Sequence, residues 1–431
     1  MNRILLKGGR IIDPTLHIDQ MGDLLIVEDL IHAVGDCLTD EKALVVDCQG
    51  KIIAPGFIDA HVHLREPGLE YKEDIESGAR AAAAGGFTAV CCMPNTKPIC
   101  DNRSLVEFIQ RRAEQVGAAK VYPLAAITKG EQGEELTEMG ELRQCGAVGI
   151  SDDGKPVING EVMRNALEYS SMFDLPVASH LEDPYLSEGR VMHHGAVSTR
   201  LGLKGIPAAA EEIMAYRDLQ LAKLVGGKIH LCHLSAANSV RLLSQAQKEG
   251  IRATGEVTVH HLVLTDEVVE SSQYDTNTKI NPPLRTEADR QALLQGVREG
   301  TIGAIVTDHA PHHIDDKRME FDYAAFGISG LETAVALVMD RLVSRGDLSI
   351  QEAIHAFSQG PAAIYGLPER LIQNGSKANL TILDLNEQRV VDPQSFVSKG
   401  KNSPYTGWSL TGWPVCTIVE GKICYRREDR I

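Results

Sequence analysis

The chain has 431 residues, 43% of them hydrophobic, which suffices for one large domain or a large domain with a small companion. Its net charge of −16 argues against nucleic acid or an anionic membrane as the main partner, although arginine and metal can still create a local anion pocket. No apolar run reaches the roughly 20 residues that span a bilayer, and nine cysteines without a CxxC pair indicate free thiols in a reducing compartment.

The first 54 residues alternate short strands with turns, beginning with "MNRILLKGGRIID". This opening reaches a Gly-Gly turn too early for a signal-peptide core, so we expect a cytoplasmic protein. The tail from residue 365 returns to the same style in "ANLTILDL" and "VCTIVEGKICYR". Neither end carries enough apolar surface to fold alone. We therefore predict a small β-sandwich that residues 1–54 and 365–431 form together.

Between these ends, residues 55–364 alternate short apolar runs with amphipathic stretches such as "NRSLVEFIQRRAEQVG". The apolar runs cover residues 56–64, 86–95, 120–128, 146–153, 175–180, 228–233, 251–261 and 302–309. Nearly continuous apolar strands that alternate with helices are typical of parallel β/α units, and eight such units close a barrel. The predicted fold class is α/β: a (β/α)8 TIM barrel with a β-sandwich formed by both chain ends.

Polar side chains end most of these strands, and in a barrel the carboxyl ends of the strands ring one face. They are His61, His63, Asn95, Asp152, Asp153, His180, His233 and Asp308. Each alone has an ordinary explanation as a polar strand end, a turn residue or a helix cap. Their joint occurrence on one barrel face indicates a metal site instead.

Imidazole and carboxylate donors without a thiolate suit Zn²⁺ or a similar divalent ion. Strand alternation points His61 and His63 to the same side, so one ion can bind both. Open positions on the ion would hold water, whose pKa the metal lowers, and Asp308 is placed to accept its proton. The predicted chemistry is metal-assisted hydrolysis or its reverse.

Two longer motifs, "DAHVHLREPG" (59–68) and "TDHAPHHIDDK" (307–317), resemble the signature regions of the dihydroorotases in the amidohydrolase superfamily. The segments "MPNTKP" (93–98) and "NPPLR" (281–285) are similar to intervening dihydroorotase segments, and the resemblance spans the whole chain. It implies a type I, bacterial-style enzyme. Such enzymes reversibly cyclise N-carbamoyl-L-aspartate to L-dihydroorotate in de novo pyrimidine biosynthesis.

The resemblance also implies the metal ligands. His61 and His63 would bind one zinc ion with Asp308, whereas His180 and His233 would bind a second ion. Asp153 would bridge the two ions, and this choice over Asp152 rests on the resemblance alone. Two zinc ions are favoured over one. A metal-bound hydroxide would be the nucleophile, with Asp308 as the catalytic acid and base.

The substrate contacts follow from the same resemblance. Arg65, Asn95 and His312 would hold the substrate carboxylate, while Asn281 and the backbone of Phe326 and Gly327 would contact the ring. The physical chemistry agrees, because the planar fork of an arginine suits a carboxylate. The long charged loop 311–327 fits a segment that covers the substrate.

Two alternative functions stay open. Another cyclic amide hydrolase, a hydantoinase or allantoinase, would be expected to use a lysine at strand four, where this chain has Asp153. A non-catalytic dihydroorotase-like partner of aspartate transcarbamoylase would typically lack the ligands that this chain keeps. An active homodimer and a complex with that transferase are also left open.

Histidines outside the motifs receive ordinary interpretations. We expect His193 and His194 to lie in a connecting segment, at the surface or in a loop, and His230 to pack in the core. His260 and His261 end strand seven and could border the pocket, without binding metal.

Overall fold

The computed structural model describes residues 2–427. The strands, in chain order, are β1 (Arg3–Asp13), β2 (Ile18–Val27), β3 (Leu30–Gly35), β4 (Leu44–Asp47), β5 (Ile52–Pro55), β6 (Phe57–Val62), β7 (Phe87–Cys92), β8 (Lys120–Ala125), β9 (Gly149–Ser151), β10 (Val177–Ser179), β11 (Met192–His193), β12 (Gly205–Ile206), β13 (Ile229–Leu231), β14 (Ala253–Thr258), β15 (Ala304–Val306), β16 (Leu380–Val390), β17 (Ser409–Val419) and β18 (Lys422–Arg426).

The α-helices alternate with the central strands. They are α1 (Ile75–Ala84), α2 (Arg103–Val116), α3 (Met139–Gln144), α4 (Gly160–Ser171), α5 (Pro184–Ser187), α6 (Ala196–Leu201), α7 (Ala209–Val225), α8 (Ala237–Lys248), α9 (Val259–Val263), α10 (Glu267–Ser271), α11 (Glu287–Arg298), α12 (Ile314–Lys317), α13 (Ala334–Val338), α14 (Ile350–Phe357) and α15 (Gln359–Tyr365). Short 3₁₀ turns lie at Lys129–Glu131, Thr276–Thr278 and Pro393–Ser395, and a π-turn at Met339–Val343 follows α13. Among residues 2–427, no helix combines the length and the apolar character that crossing a membrane requires.

The barrel is an eight-stranded parallel sheet in the order β6-β7-β8-β9-β10-β13-β14-β15. A parallel bridge between Val62 and His309 connects its two edge strands. The backbone N–H of His63 donates to the carbonyl of His309 at 2.9 Å across this seam. The sheet therefore closes where the first and last predicted site segments meet, which confirms the predicted TIM barrel.

Strand alternation divides the barrel residues between two cores. Small side chains such as Ala60, Ala89 and Ala178 belong to an inner core, whereas larger ones such as Phe57 and Phe87 belong to the core between barrel and helices. The adjacent cysteines follow the same rule: Cys91 lies in the inner core and Cys92 in the outer one. Both are buried free thiols, as predicted.

Both chain ends combine in a second, mixed sheet of eight strands. Its order is β18-β17-β16-β5-β1-β2-β3, with β4 paired to β1. The antiparallel pairing of β16 with β5 joins the tail to the N-terminal part. Residues of both ends, for example Leu6 and Ile418, share one apolar core. This confirms the predicted joint β-domain, while its boundaries at 54 and 365 stay a prediction.

One stretch of the tail leaves this sheet and lies on the barrel. Residues 396–408, which we call the tail strap, run between the Pro393–Ser395 turn and β17. The backbone N–H groups of Val397 and Ser398 donate to the Glu332 carboxylate at 2.9 and 3.0 Å. Tyr405 is buried in the outer barrel core. The strap therefore ties the tail to the loops at the carboxyl ends of the barrel strands.

Candidate metal centre and substrate cavity

A cavity of about 210 Å³ opens at the carboxyl ends of the barrel strands. Of the predicted site residues, all but His61 line it directly: His63, Arg65, Asn95, Asp153, His180, His233, Asn281, Asp308, His312, Phe326 and Gly327. His61 lies beneath them and is fully buried. These residues span 267 positions of the sequence. The fold brings them together because each lies near the carboxyl end of a barrel strand or in a loop above one.

The predicted ligand atoms converge on Asp153. Its carboxylate oxygens lie 3.5 Å from His61 Nε2, His63 Nε2, His180 Nδ1 and His233 Nε2. Asp308 Oδ1 lies 3.0 Å from His63 Nε2 and 3.7 Å from His61 Nε2. Asp153 therefore stands between the two histidine pairs, and Asp308 stands on the His61–His63 side.

These donors fit a metal ion. Buried nitrogen and oxygen atoms normally have hydrogen-bond partners, yet His61 Nε2 and Asp153 Oδ1 face each other at 3.5 Å without one. Among the described residues, three groups each bring three donor atoms within 4.8 Å of one another: His61–His63–Asp308, His61–Asp153–His233 and His61–Cys232–Glu256. The first two consist of predicted ligands. Partnerless imidazole nitrogen and carboxylate oxygen at this spacing are the chemistry that a divalent ion satisfies.

The two neighbouring aspartates after β9 have different surroundings. Asp152 accepts hydrogen bonds from the backbone of Ile127 and Thr128 at 2.7 and 3.1 Å, and also from the Thr128 hydroxyl. Asp152 thus fastens the end of β8, whereas Asp153 faces the cavity. The residues alone did not distinguish them, since both lie where the strand passes into a turn.

The electrostatics of the cluster favour positive charge at its centre. Burial would lower the pKa of His180, but the nearby carboxylates of Asp153 and Glu182 prevail and raise that pKa to about 10. Burial would raise the pKa of Asp308, but the nearby histidines His63 and His61 hold it at about 2. Two ionised carboxylates thus draw positive charge toward the imidazoles, and a bound divalent cation would supply that charge.

A buried carboxylate beneath the cluster was missed in the sequence. Glu256 on β14 accepts from His61 Nδ1 at 2.6 Å and from the backbone N–H of His233 at 3.2 Å. Its second oxygen lies 3.1 Å from His230 Nε2. The hydrogen bond at Nδ1 leaves His61 Nε2 directed at the donor cluster. The signal was available, because a glutamate inside an apolar barrel strand is rarely buried without a partner.

The predicted substrate residues line the same cavity as the metal-type donors. The Arg65 guanidinium lies 3.5 Å from His312 Nε2, and its Nε donates to the Pro311 carbonyl at 3.3 Å. His312 Nε2 is also 2.9 Å from the Phe326 carbonyl. Arg65, His312 and the Phe326–Gly327 backbone therefore form one continuous wall of the cavity.

The two predicted asparagines lie between this wall and the ligands. Asn95 Oδ1 is 2.9 Å from His63 Nδ1, so Asn95 orients a ligand candidate as well as facing the cavity. Asn281 Nδ2 donates to Glu182 Oε2 at 2.9 Å, and the same oxygen lies 2.9 Å from His180 Nε2. Glu182, which follows strand β10, is a second carboxylate that the sequence analysis missed.

The remaining histidines lie outside the cluster. His230 is buried beside Thr254 and Glu256, as expected for a packing residue. His261 is buried in α9, with Nε2 3.1 Å from the Pro282 carbonyl. The expectation of a surface or loop position was wrong for His193, which is buried in β11 with Nδ1 3.2 Å from Arg285 Nη1. A short β11–β12 pair, which has no clear alternation in the sequence, accounts for this burial.

The chain is similar to known proteins over its full length. A sequence model of Dihydro-orotase-like proteins matches residues 50–239, and a model of the Amidohydrolase family matches residues 325–425. The dihydroorotase of Syntrophus aciditrophicus is 47% identical over 99% of this chain and 100% of its own length. The dihydroorotase of Syntrophotalea carbinolica is 48% identical, again over 99% and 100%.

Solved structures with the same fold are more distant in sequence. The L-hydantoinase (dihydropyrimidinase) of Arthrobacter aurescens aligns with a TM-score of 0.88 at 24% identity, over 100% of this chain and 98% of that chain. A D-hydantoinase (dihydropyrimidinase) from Thermus sp. aligns with a TM-score of 0.82 at 24% identity, over 99% and 96%. These structures confirm the fold, and the full-length relatives confirm the resemblance seen in the motifs. The chain belongs to the dihydroorotase family of the amidohydrolases.

Proposed function

We propose that this protein catalyses the reversible cyclisation of N-carbamoyl-L-aspartate to L-dihydroorotate, the dihydroorotase step of pyrimidine biosynthesis. The observation that carries the proposal is one cavity of about 210 Å³ that is lined both by metal-type donors and by Arg65 and His312. Such a cavity can hold an amide at the donors and a carboxylate at the arginine simultaneously. The relatives named dihydroorotase, 47% and 48% identical over their whole length, support the same substrate.

The metal of the proposal is zinc, with two ions per chain. His61, His63 and Asp308 would hold one ion, His180 and His233 the other, and Asp153 would bridge them. Nitrogen and oxygen donors suit Zn²⁺, and the partnerless His61 Nε2 and Asp153 Oδ1 support ligation by these two atoms. When bound, zinc lowers the pKa of water toward neutrality and polarises an amide carbonyl.

Asp308 is the proposed acid and base. The neighbouring histidines hold its pKa at about 2, so at neutral pH Asp308 is in the ionised form that a base requires. It would accept the proton of the attacking water. In the hydrolytic direction the water oxygen bonds to the ring carbonyl carbon and the ring C–N bond breaks. Asp308 then delivers its proton to the departing nitrogen. Cyclisation runs through the same transfers in reverse.

Arg65, Asn95 and His312 would bind the substrate carboxylate, and Asn281 and the Phe326–Gly327 backbone would contact the ring. Burial and the nearby Arg65 and Lys72 lower the pKa of His312 to about 3. The single N–H of a neutral His312 faces the Phe326 carbonyl, so Arg65 would supply both the charge and the main hydrogen bonds to the carboxylate, with His312 as a neutral polar neighbour.

The first experiment is to follow the ultraviolet loss of dihydroorotate with purified, zinc-loaded protein, counting metal per chain. Hydantoin and allantoin serve as controls. Turnover of dihydroorotate alone would support the proposal, and turnover of a control would favour the hydantoinase or allantoinase alternative. Zinc binding without turnover would favour an enzyme that needs aspartate transcarbamoylase to order its active-site loop, and the assay would be repeated with that transferase added.

The cellular location and the assembly of the enzyme are also proposed. We place it in the cytoplasm, because its substrate is a soluble metabolite and its cysteines are free thiols. The proposal leaves two assemblies to be tested, a homodimer and a complex with aspartate transcarbamoylase. Sedimentation with and without the transferase distinguishes the two assemblies.

A further inference from the structure

A single asparagine of the tail strap lies behind the substrate wall. The Asn402 side chain is buried and takes part in four hydrogen bonds. Its Oδ1 accepts from the His312 backbone N–H at 3.0 Å and from the Ser329 hydroxyl at 2.8 Å. Its Nδ2 donates to the Ala310 carbonyl at 3.0 Å and to the Gly327 carbonyl at 2.9 Å. Every one of these partners belongs to the two loops that border the cavity.

The pattern of partners requires an amide. Two of the partners are backbone carbonyls, which only accept, and one is a backbone N–H, which only donates. A carboxylate of the same shape could serve the His312 N–H and the Ser329 hydroxyl, but would repel both carbonyls. A hydroxyl could not reach four partners. The orientation of the amide is therefore fixed by its surroundings, and residue 402 needs both donors and acceptors.

The two loop segments that Asn402 joins carry the proposed substrate contacts. Residues 310–312 end in His312, and residues 326–329 begin with Phe326 and Gly327. They touch each other at the cavity through His312 Nε2 and the Phe326 carbonyl, 2.9 Å apart. Asn402 links the same segments from the rear, so its amide sets how far apart they stand.

The strap lies close enough for this role because of Gly400. A Cβ at this position would lie 2.4 Å from the Cβ of Pro311 and 2.5 Å from the Ser329 hydroxyl. The backbone N–H of Ser329 also donates to the Asn402 carbonyl at 2.8 Å. Main chain and side chain of the strap thus dock on the loops together.

We propose that Asn402 is a positioning residue for substrate binding: its side-chain amide holds the 310–312 and 326–329 segments in register, and thereby places His312 and Gly327 against the substrate. The inference rests on the proposed function of those two residues. It assigns part of the active site to the chain's tail, although Asn402 itself does not line the cavity.

The test compares Asn402→Asp with Ser403→Ala in zinc-loaded protein, with kcat and KM measured for dihydroorotate. Ser403 is a matched control, because it is buried in the same strap and its side-chain hydrogen bond, from Tyr405 N at 3.4 Å, stays within the strap. For Asn402→Asp we expect KM to rise about ten- to a hundredfold. We expect kcat to change by less than about threefold, because His312 and Gly327 would contact the bound substrate and the transition state equally. Ser403→Ala should leave both constants near those of the unmodified protein.

A KM for Asn402→Asp within twofold of the unmodified value, or one matched by Ser403→Ala, would overturn the proposal. A lower kcat at constant KM would also overturn it, because a smaller folded fraction has that signature. Should Asn402→Asp fail to fold, Ser329→Ala is the milder variant. This variant removes one hydrogen-bond donor to Asn402 Oδ1, and we expect KM to rise about threefold. An unchanged KM would show that the amide has only a structural role.

Amide hydrogen exchange separates this inference from the proposed function. If the unmodified chain does not turn over dihydroorotate, the proposed function fails, and exchange without substrate decides the role of the amide. Faster exchange at residues 310–312 and 326–329 in Asn402→Asp, but not in Ser403→Ala, would support the link between the segments. Exchange rates equal to those of the unmodified protein would refute it.

Discussion

Replacing Glu256 should weaken metal binding more than it weakens the fold. This carboxylate is fully buried and contacts three histidines: the His61 ring at 2.6 Å, the His233 backbone at 3.2 Å and the His230 ring at 3.1 Å. Two of these histidines are proposed ligands. Because His61 Nδ1 is occupied by Glu256, the Nε2 lone pair is available to the metal and made more basic.

The size of the effect follows from what each substitution leaves behind. Loss of a partner behind a ligating histidine weakens metal affinity by about 10- to 100-fold, or ~1.4 to 2.7 kcal/mol. Glu256→Gln keeps an acceptor for His61 but loses the charge, so about tenfold is expected. Glu256→Ala also frees the rings of His61 and His230, which can then rotate or change tautomer, so about a hundredfold is expected.

The assay is competition for zinc between the protein and a chelator of known affinity, with metal counted per chain. Thermal unfolding of the metal-free variants reports the fold separately. Glu332→Gln is the control, because this glutamate accepts two backbone hydrogen bonds from the tail strap and contacts no proposed ligand. If Glu256→Ala binds zinc as tightly as the unmodified protein, Glu256 does not orient His61 for metal binding. If Glu332→Gln loses zinc equally, the loss reflects general destabilisation.

Three further predictions concern the acid-base residue, the arginine and a buried histidine. Asp308→Asn should keep the fold, as judged by circular dichroism, and lose about 10³-fold in kcat; near-normal turnover would contradict the acid-base assignment. Arg65→Met should raise KM about 100-fold with unchanged zinc content, since a buried charge pair is lost. Zinc loss at constant KM would instead assign Arg65 to support of the ligands. Burial lowers the pKa of His261 to about 4, below its usual value. Between pH 6.5 and 4 the unfolded chain therefore binds more protons than the folded one, and the folded chain loses stability as the pH falls. His261→Asn should be destabilising at pH 7.5, because the contact of the ring with the Pro282 carbonyl is lost. The difference in melting temperature from the unmodified protein should narrow toward pH 4.5, where the unmodified chain loses stability by protonation; a constant difference would contradict the buried neutral state.

The barrel and the convergence of its strand ends could be predicted from the sequence because each signal is local. The parallel strands are buried on both faces and read as apolar runs, as in "GFTAVCCMPN". The polar residue that ends such a run stands out against it, as His180 and His233 do. Once the strands are arranged in a barrel, geometry alone brings their ends to one face.

Contacts between distant segments could not be predicted in this way. Asn402 is 90 residues from His312 and 73 residues from Ser329, and nothing near it in the sequence marks it as an active-site neighbour. Its place depends on where the strap crosses the barrel. Glu256 is an intermediate case: its burial could be read from β14, but its pairing with His61, 195 residues away, required the closed barrel.

The backbone at the cavity suggests why those distant contacts are needed. Arg65, His233 and Asp308 have φ values of +63°, +32° and +45°, in the left-handed region that side chains other than glycine rarely adopt. Each lies just beyond a barrel strand, where this conformation reverses the chain and turns the side chain into the cavity. Such positions cost about 1–3 kcal/mol each and persist only where surrounding contacts determine them. Around His233 that contact is the Glu256 carboxylate on its backbone N–H, and near Arg65 it is the Pro311 carbonyl, in the loop that Asn402 secures. Residues far away in the sequence, such as Glu256 and Asn402, thus hold the backbone in a conformation that its own residues disfavour. The strand ends carry a local sequence signal and could be predicted, whereas the contacts that hold them in place carry no such signal.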